Sequence, residues 1–516
     1  MSFGEMAGQD QIHTTRAKSG ELLQGAARTT RAATVLPELR RRKRDARRRL
    51  LLILLACMLS ISAVLVAAQV QKVGDTLTVQ VAHQPAVSLS LNRSVPISRY
   101  LLGSNAFPMA GTTARDPAGH GFMSYSPLIV QGLRSAGIKL LRFPGGDWGE
   151  QHTLSTRQLN AFSNLLNQVG AEGLIQAQLS DPLDRVPVPL AERASRAALM
   201  VDYMNNRQSI QRVGTNAKAP YHPMRYWSIG NEPDLLVNQD TGRRYTVDEY
   251  TRAFIAYSLA MHRIDPSIQV FGPELSQYSA NGGPRDSEGR PWMESFLNGV
   301  GAYERTHHLP FQLLNGVSLH LYPFKDDQAD PQTLLNNPGE WNTLVPSLHQ
   351  LIVQALGQDL PIALTEINTN PGQVPPPQNL AALWWAKTLG TLMSNQIAYV
   401  TFFSTEGVES PYPLFSQGNL AQTAMLHTMQ LFAHLQDTFI PTPAIEGPVS
   451  IYATRNGGHD IVSLLLINQT NANQQVSVQG TGINFWHSAT LSLPGYGMAV
   501  LTLHRGGPND IVRFDN

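Results

Sequence analysis

From about residue 97 the chain alternates two hydrophobic patterns. Short apolar runs closed by polar residues read as buried strands. Longer stretches with apolar residues three and four apart read as amphipathic helices. Eight runs have the first pattern: "ISRYLLGSN" (Ile97 to Asn105), "IKLLRFPGG" (Ile138 to Gly146), "GLIQAQLS" (Gly173 to Ser180), "MRYWSIGNE" (Met224 to Glu232), "IQVFGPE" (Ile268 to Glu274), "VSLHLYP" (Val317 to Pro323), "PIALTEIN" (Pro361 to Asn368) and "AYVTFFS" (Ala398 to Ser404). Helical periodicity lies between most of them, as in "TVDEYTRAFIAYSLAMHRI" before the fifth and "LAALWWAKTLGTLMSN" before the eighth. Alternating strand and helix predicts a parallel sheet of the α/β class. Eight such units predict a (β/α)8 TIM barrel over residues 97–440. A doubly wound open sheet is the alternative, because periodicity does not report closure.

Past residue 440 the spacing shortens. "VSIYATR", "DIVSLLLINQT", "QQVSVQGTG", "HSATLSLPG" and "MAVLTLH" are strand-like runs separated by Asn, Gly and Pro, and predict a β-sandwich over 441–516. "DTLTVQVAHQPAVSLSLN" (Asp75 to Asn92) alternates in the same way. Residues 71–96 are therefore expected to add strands to that sandwich, since the two ends of a compact domain often meet.

The N-terminal part differs. Leu50 to Ala68 is 19 residues without a charge, and it follows "RRRKRDARRR", with eight Lys/Arg. That length suffices for a membrane helix, and the basic flank would stay inside. The expectation is a transmembrane signal anchor over 50–70 in a lipid bilayer, with a basic, disordered cytoplasmic tail over 1–49 and the rest of the chain outside. Cleavage after Ala68 would instead release it. The single cysteine, Cys57, forbids an intrachain disulfide.

Charge adds one exclusion. Residues 1–49 hold 12 Lys/Arg and 5 Asp/Glu, leaving 27 Lys/Arg against 33 Asp/Glu for the remainder. A mildly acidic body argues against nucleic acid as its partner. No Cys/His/Asp cluster has metal-ligand spacing, so neither a metal nor a cofactor is expected.

Two of the strand runs end on chemistry. "RYWSIGNEPD" drives an apolar run into Asn231 and Glu232, with Pro233 behind them; "LPIALTEIN" ends on Glu366. Active residues of a barrel sit at C-terminal strand ends, and strands four and seven lie across its mouth. Two carboxylates flanking one bond are the minimal apparatus for glycoside hydrolysis, and their proximity helps one stay protonated while the other ionises. Each Glu alone would as readily be an ion pair or a helix cap.

Asn231-Glu232-Pro233 after strand four and Thr365-Glu366 at a later strand end resemble clan A of the retaining glycoside hydrolases. "LRFPGG" (Leu141 to Gly146) and "SLHLYP" (Ser318 to Pro323) resemble the second- and sixth-strand motifs of its α-L-arabinofuranosidase and heparanase/β-glucuronidase families. The resemblance covers about residues 97–440. It implies that Glu232 is the acid/base and Glu366 the nucleophile, and that Asn231 bonds the sugar 2-hydroxyl. Arg142 and Tyr322 would orient Glu366, and His320 would lie near the subsite floor. Trp148 is a candidate for stacking on a sugar, and Gly145 and Gly146 for a tight turn. Members of the clan often carry a Trp near the end of strand eight, where this chain has Phe402, Phe403 and Glu406. The expected activity is retaining cleavage of carbohydrate O-glycosidic bonds, arabinofuranosidase-like or β-glucuronidase-like. The rivals are a noncatalytic carbohydrate-binding protein and an envelope transglycosylase.

Overall fold

A computed structural model describes residues 50–58, 75–109, 122–180, 187–216, 218–324, 330–369, 375–406, 412–443, 445–482 and 486–514. Eight parallel strands close a barrel. In chain order they are β1 (Gly103–Asn105), β2 (Leu140–Phe143), β3 (Glu172–Ala177), β4 (Tyr226–Ile229), β5 (Gln269–Leu275), β6 (Gly316–Leu321), β7 (Ile362–Ile367) and β8 (Tyr399–Phe402). Each pairs with its sequence neighbour, and β8 returns to β1. Closure decides against the open doubly wound sheet. Nearly every residue of these strands is buried, because helices cover the outside and side chains fill the inside. The floor is aromatic. Tyr100, Tyr226, Phe271 and Tyr399 pack ring to ring beside Leu140, Leu174 and Ala363, and the Tyr226 hydroxyl donates to that of Tyr100 at 3.0 Å. Among the described residues these rings fill the barrel at its N-terminal end, opposite the C-terminal mouth.

Local signals set the helices that return the chain. Thr156–Val169 starts at a capping box of Ser155 and Gln158, and Val247–Ile264 at one of Thr246 and Glu249. Each box satisfies two backbone donors that a helix start would leave bare, and a cap of this kind contributes about 1 kcal/mol.

Two antiparallel sheets form the second layer system. One joins Ala489–Leu493, Gln474–Thr481, Thr76–Val81 and Val87–Ser90; the other joins Asp510–Arg513, Met498–His504, Ile461–Asn468, Val449–Arg455, Thr438–Ile440 and Val95–Pro96. Val79 of the N-terminal strand pairs with Val478. Leu77, Val79, Val476 and Val478 from the first sheet meet Leu464, Leu466, Leu501 and Leu503 from the second in one core. Leu465, Ile467 and Val500, in the opposite phase, belong to the barrel's core instead. The six-stranded sheet is thus covered on both faces. That is why Ile461–Asn468 is apolar almost throughout while Gln474–Thr481 alternates.

The membrane-spanning helix expected over residues 50–70 is overturned. Among the described residues no helix is long and apolar enough to cross a membrane. Residues 50–58 are helical. Residues 59–70, and the expected tail over 1–49, lie outside the described residues. Nothing among the described residues supports the expected lipid-bilayer partner.

Candidate active site

The strand ends deliver a ring of polar side chains to the barrel mouth. Arg142, on β2, is fully buried and occupies its centre. Its Nη1 donates to Glu366 Oε1 at 2.8 Å and to Asn105 Oδ1 at 3.0 Å. Its Nη2 donates to Asn231 Oδ1 and to Glu274 Oε2, both at 2.9 Å. One planar guanidinium thereby ties together the ends of β1, β2, β5 and β7 and the turn after β4. Burial disfavours its charge, but Glu274 and Glu366 outweigh burial and push its pKa above the ordinary arginine value.

Asn231 and Glu232 stand just past β4. Gly230 ends the strand at φ +79°, and Glu232 itself has φ +45°. Only glycine enters that region freely, so the turn depends on Gly230. Its geometry is fixed from outside: the Glu232 N–H donates to the Glu274 carbonyl at 3.0 Å. The result points the Glu232 carboxyl back over the barrel, where Oε1 meets His320 Nδ1 at 2.9 Å. The Asn231 amide is held on both sides, accepting from Arg142 and donating from Nδ2 to Asp147 Oδ1 at 3.1 Å. Asp147 follows Gly145 and Gly146, whose φ values of +70° and +61° make the tight turn out of β2.

Glu366, at the end of β7, has a donor on each oxygen: Arg142 on Oε1, and the Tyr322 hydroxyl on Oε2 at 2.7 Å. Burial first, then the charge of Glu366, pushes the Tyr322 phenol well above its usual value, so it stays a donor. The side chains of Glu366 and Glu232 are 4% and 17% exposed, so Glu232 is the more open to the mouth. One carboxylate oxygen of each, with a His320 ring nitrogen, all lie within 4.8 Å of one another. A cation would suit that spacing, but the guanidinium and imidazole already bring positive charge there.

His320 is wholly buried on β6. Burial alone would lower its pKa. Glu366 and the hydrogen bonds to Glu232 and Glu274 prevail, and the imidazole is pushed up to about 10. Both ring nitrogens face carboxylate oxygens, Nδ1 that of Glu232 and Nε2 that of Glu274 at 3.2 Å, the arrangement that suits a doubly protonated ring.

Residues 145–325 match the family described as Glycoside hydrolase family 44. The matched segment holds the turn after β2, Asn231, Glu232, Glu274, His320 and Tyr322. The chain is a glycoside hydrolase. No curated protein matches it in sequence. Solved structures share the hydrolase's fold. They include an α-L-arabinofuranosidase from Thermotoga maritima (TM-score 0.56, 14% identity, 82% of this chain and 99% of that one). A family 51 α-L-arabinofuranosidase from Bifidobacterium longum superposes with TM-score 0.58 at 12% identity, over 83% of this chain and 99% of that one. A Paenibacillus polymyxa xyloglucanase from glycoside hydrolase family 44 does so with TM-score 0.56 at 13% identity, over 80% and 97%.

Of the residues singled out in the hydrolase's sequence, the structure gathers Glu232, Glu366, Asn231, Arg142, Tyr322 and His320 into one network. Trp148 is outside it. Its ring is 7% exposed, stacks on His152 at 4.5 Å and meets Phe122 edge-on, which leaves no open platform for a sugar. At the end of β8, Phe403 stands half-buried and edge-on to Tyr322 at 6.3 Å, where a Trp is common in the clan. Phe402 is buried against Trp385, and Glu406 accepts from the Ser124 N–H, so neither faces the others. Three participants escape a reading by motif: Asn105, Asp147 and Glu274. Two of them close apolar runs, as Glu232 and Glu366 nearly do, and that shared position is the signal that could find them.

Proposed function

We propose that the chain cleaves O-glycosidic bonds by double displacement, with Glu366 as nucleophile and Glu232 as general acid and then base. The observation that carries this reading is the short gap between the two carboxylates, within 4.8 Å at their nearest oxygens. Retaining enzymes hold the two carboxyl groups about 5–5.5 Å apart, whereas inverting ones need about 6.5–9.5 Å to admit a water. The assignment of roles follows from the surroundings. Donors on both oxygens immobilise Glu366, as an attacking group requires. Glu232 meets His320 and the open mouth, where it can hand a proton to a leaving oxygen and later take one from water.

Proton NMR of a fresh digest should show the product first as the anomer of the substrate, equilibrating only later. Glu232→Ala should lose acid/base function, and added azide should restore turnover of an activated aryl glycoside as the glycosyl azide. A first product of opposite anomeric form would overturn the scheme.

The sugar in the site is neutral under this reading. The two cations of the site are buried and already bonded to carboxylates and amides. Asp147, exposed on the turn after β2, adds a carboxyl beside Asn231. Its residue surface is exposed, while its carboxyl lies deep in the mouth. That enclosure first, then the charge of Glu366, pushes its pKa up. A sugar carboxylate would meet like charge there, a repulsion of several kcal/mol. On a panel of aryl arabinofuranosides, xylosides, glucosides and glucuronides, the best neutral substrate should exceed the glucuronide by at least about 10²-fold in kcat/KM. A glucuronide preference would show that Asp147 does not set the specificity.

A further inference from the structure

Three glutamate carboxyls share the two buried cations of the mouth, and Asp147 stands beside them on Asn231. Arg142 and His320 bring two positive charges, and Glu274, Glu366 and Glu232 offer three negative ones. In the roles proposed above Glu232 starts protonated. Formation of the glycosyl ester then moves charge. A Glu366 oxygen bonds the anomeric carbon, the exocyclic C–O bond breaks with its electron pair on the leaving oxygen, and that oxygen takes the Glu232 proton. One negative charge has left Glu366 and one has arrived on Glu232. His320 Nδ1 is 3.5 Å from Glu366 Oε2 and 2.9 Å from Glu232 Oε1, so it faces both ends of that transfer.

We propose that Glu274 is a positioning residue, which holds the His320 ring turned so that one N–H, bonded to Glu232 and 3.5 Å from Glu366, lies between the two ends of the transfer throughout. This rests on the roles given to Glu232 and Glu366. Glu274 is itself fully buried and meets no opening to substrate. Its Oε2 is shared between Arg142 Nη2 and His320 Nε2, and its backbone N–H donates to Ser318 Oγ at 3.2 Å. Its Oε1 has no hydrogen-bond partner among the described residues. A buried carboxylate with one bare oxygen is destabilising unless cations compensate it. Folding alone would be better served by an apolar side chain; what Glu274 adds is a fixed counter-charge behind the imidazole. The groups that face His320 are Glu232 after β4, Glu274 on β5, Tyr322 just beyond β6 and Glu366 on β7, with Arg142 behind Glu274 and Glu366 and Asp147, on the turn after β2, within reach of its charge. Their balance holds the imidazole charged despite its burial, and it holds Glu274 below the usual carboxylate range: burial would raise that group, but Arg142 and His320 bring it down.

The test compares Glu274→Gln, which keeps the size and removes the charge, with the native enzyme. In NMR of histidine-labelled native protein, one imidazole, identified by its absence in His320→Gln, should stay charged at a pH of about 8, where a free imidazole is neutral. In Glu274→Gln that imidazole should titrate at least about one unit lower. Turnover should fall at least about tenfold more for an alkyl glycoside, which needs the Glu232 proton, than for a dinitrophenyl glycoside, which does not. Equal losses for both leaving groups with an unmoved His320 titration would overturn the proposal. So would a neutral His320 at that pH in the native enzyme, a measurement that stands even where Glu274→Gln does not fold. Failure of the underlying roles looks different: Glu232→Ala would then lose no more on the alkyl than on the dinitrophenyl glycoside, whatever Glu274→Gln does.

Discussion

Glu366→Gln will abolish turnover, with kcat down by about 10⁴-fold or more, while the chain stays folded. Gln has the size of Glu, and its amide oxygen can still accept from Arg142 Nη1 in place of Oε1. The Tyr322 hydroxyl, which donates to Oε2, can turn to accept from the amide NH2 instead. What disappears is the anion that attacks carbon, and an amide oxygen is no substitute. A factor of 10⁴ corresponds to about 5 kcal/mol of barrier, within the range that loss of a covalent catalyst produces. The substitution also leaves Arg142 and His320 short of one anion, but Glu274, Asn105 and Asn231 still accept from the guanidinium. Single-turnover assay of an activated aryl glycoside, beside a thermal melt, checks both halves. Residual activity within about tenfold of native would remove Glu366 from the nucleophile's place.

Arg142→Met will have the largest combined effect on stability and rate. The guanidinium serves four acceptors on four different elements, and two of them are buried carboxylates. Removing it leaves Glu274 and Glu366 beside each other's charge without their shared cation. Breaking a buried ion pair from one side costs about 3–5 kcal/mol, mostly because the partner is stranded. Glu366 would also lose its fixed orientation, and misplacement by about 1 Å costs about 10²-fold in rate. Arg142→Lys should rescue little, since an ammonium on a flexible stem cannot bridge four acceptors in one plane. Chemical denaturation and kcat measured on both variants decide the matter. A Lys variant with native rate and stability would show that charge alone suffices there.

Much of this is legible in the chain before any coordinates. Parallel strands buried on both faces tend to read as apolar runs, and most of the barrel strands show it, whereas β1, Gly-Ser-Asn, is found by the apolar residues before it. The catalytic candidates are visible because a carboxylate closing such a run needs a reason. Less legible is the direction of a side chain beyond the strand. The strand expected to reach Glu232 stops at Ile229, because Gly230 and Glu232 take left-handed backbone that no apolar pattern encodes. Glu274 hides for the same reason. It has φ +60° within β5 and bonds inward to Arg142, but in the sequence it is one acid after a Gly-Pro. Trp148 shows the converse: an aromatic beside catalytic residues whose partners, His152 and Phe122, come from packing that no spacing reveals. Leu50 to Ala68 passes a length-and-charge criterion for a membrane span, yet no helix among the described residues is long and apolar enough for one.

The pairing of Thr76–Val81 with Gln474–Thr481 sets a clock on biosynthesis. The early strand leaves the ribosome with its partner roughly 400 residues behind, which at about 5–20 residues per second is a wait of tens of seconds. Its exposed edge must pass that interval unpaired, while the whole barrel is made between the two halves of one sheet. Slowing translation within the barrel should lengthen the exposure and raise aggregation, whereas the finished enzyme carries no trace of the delay.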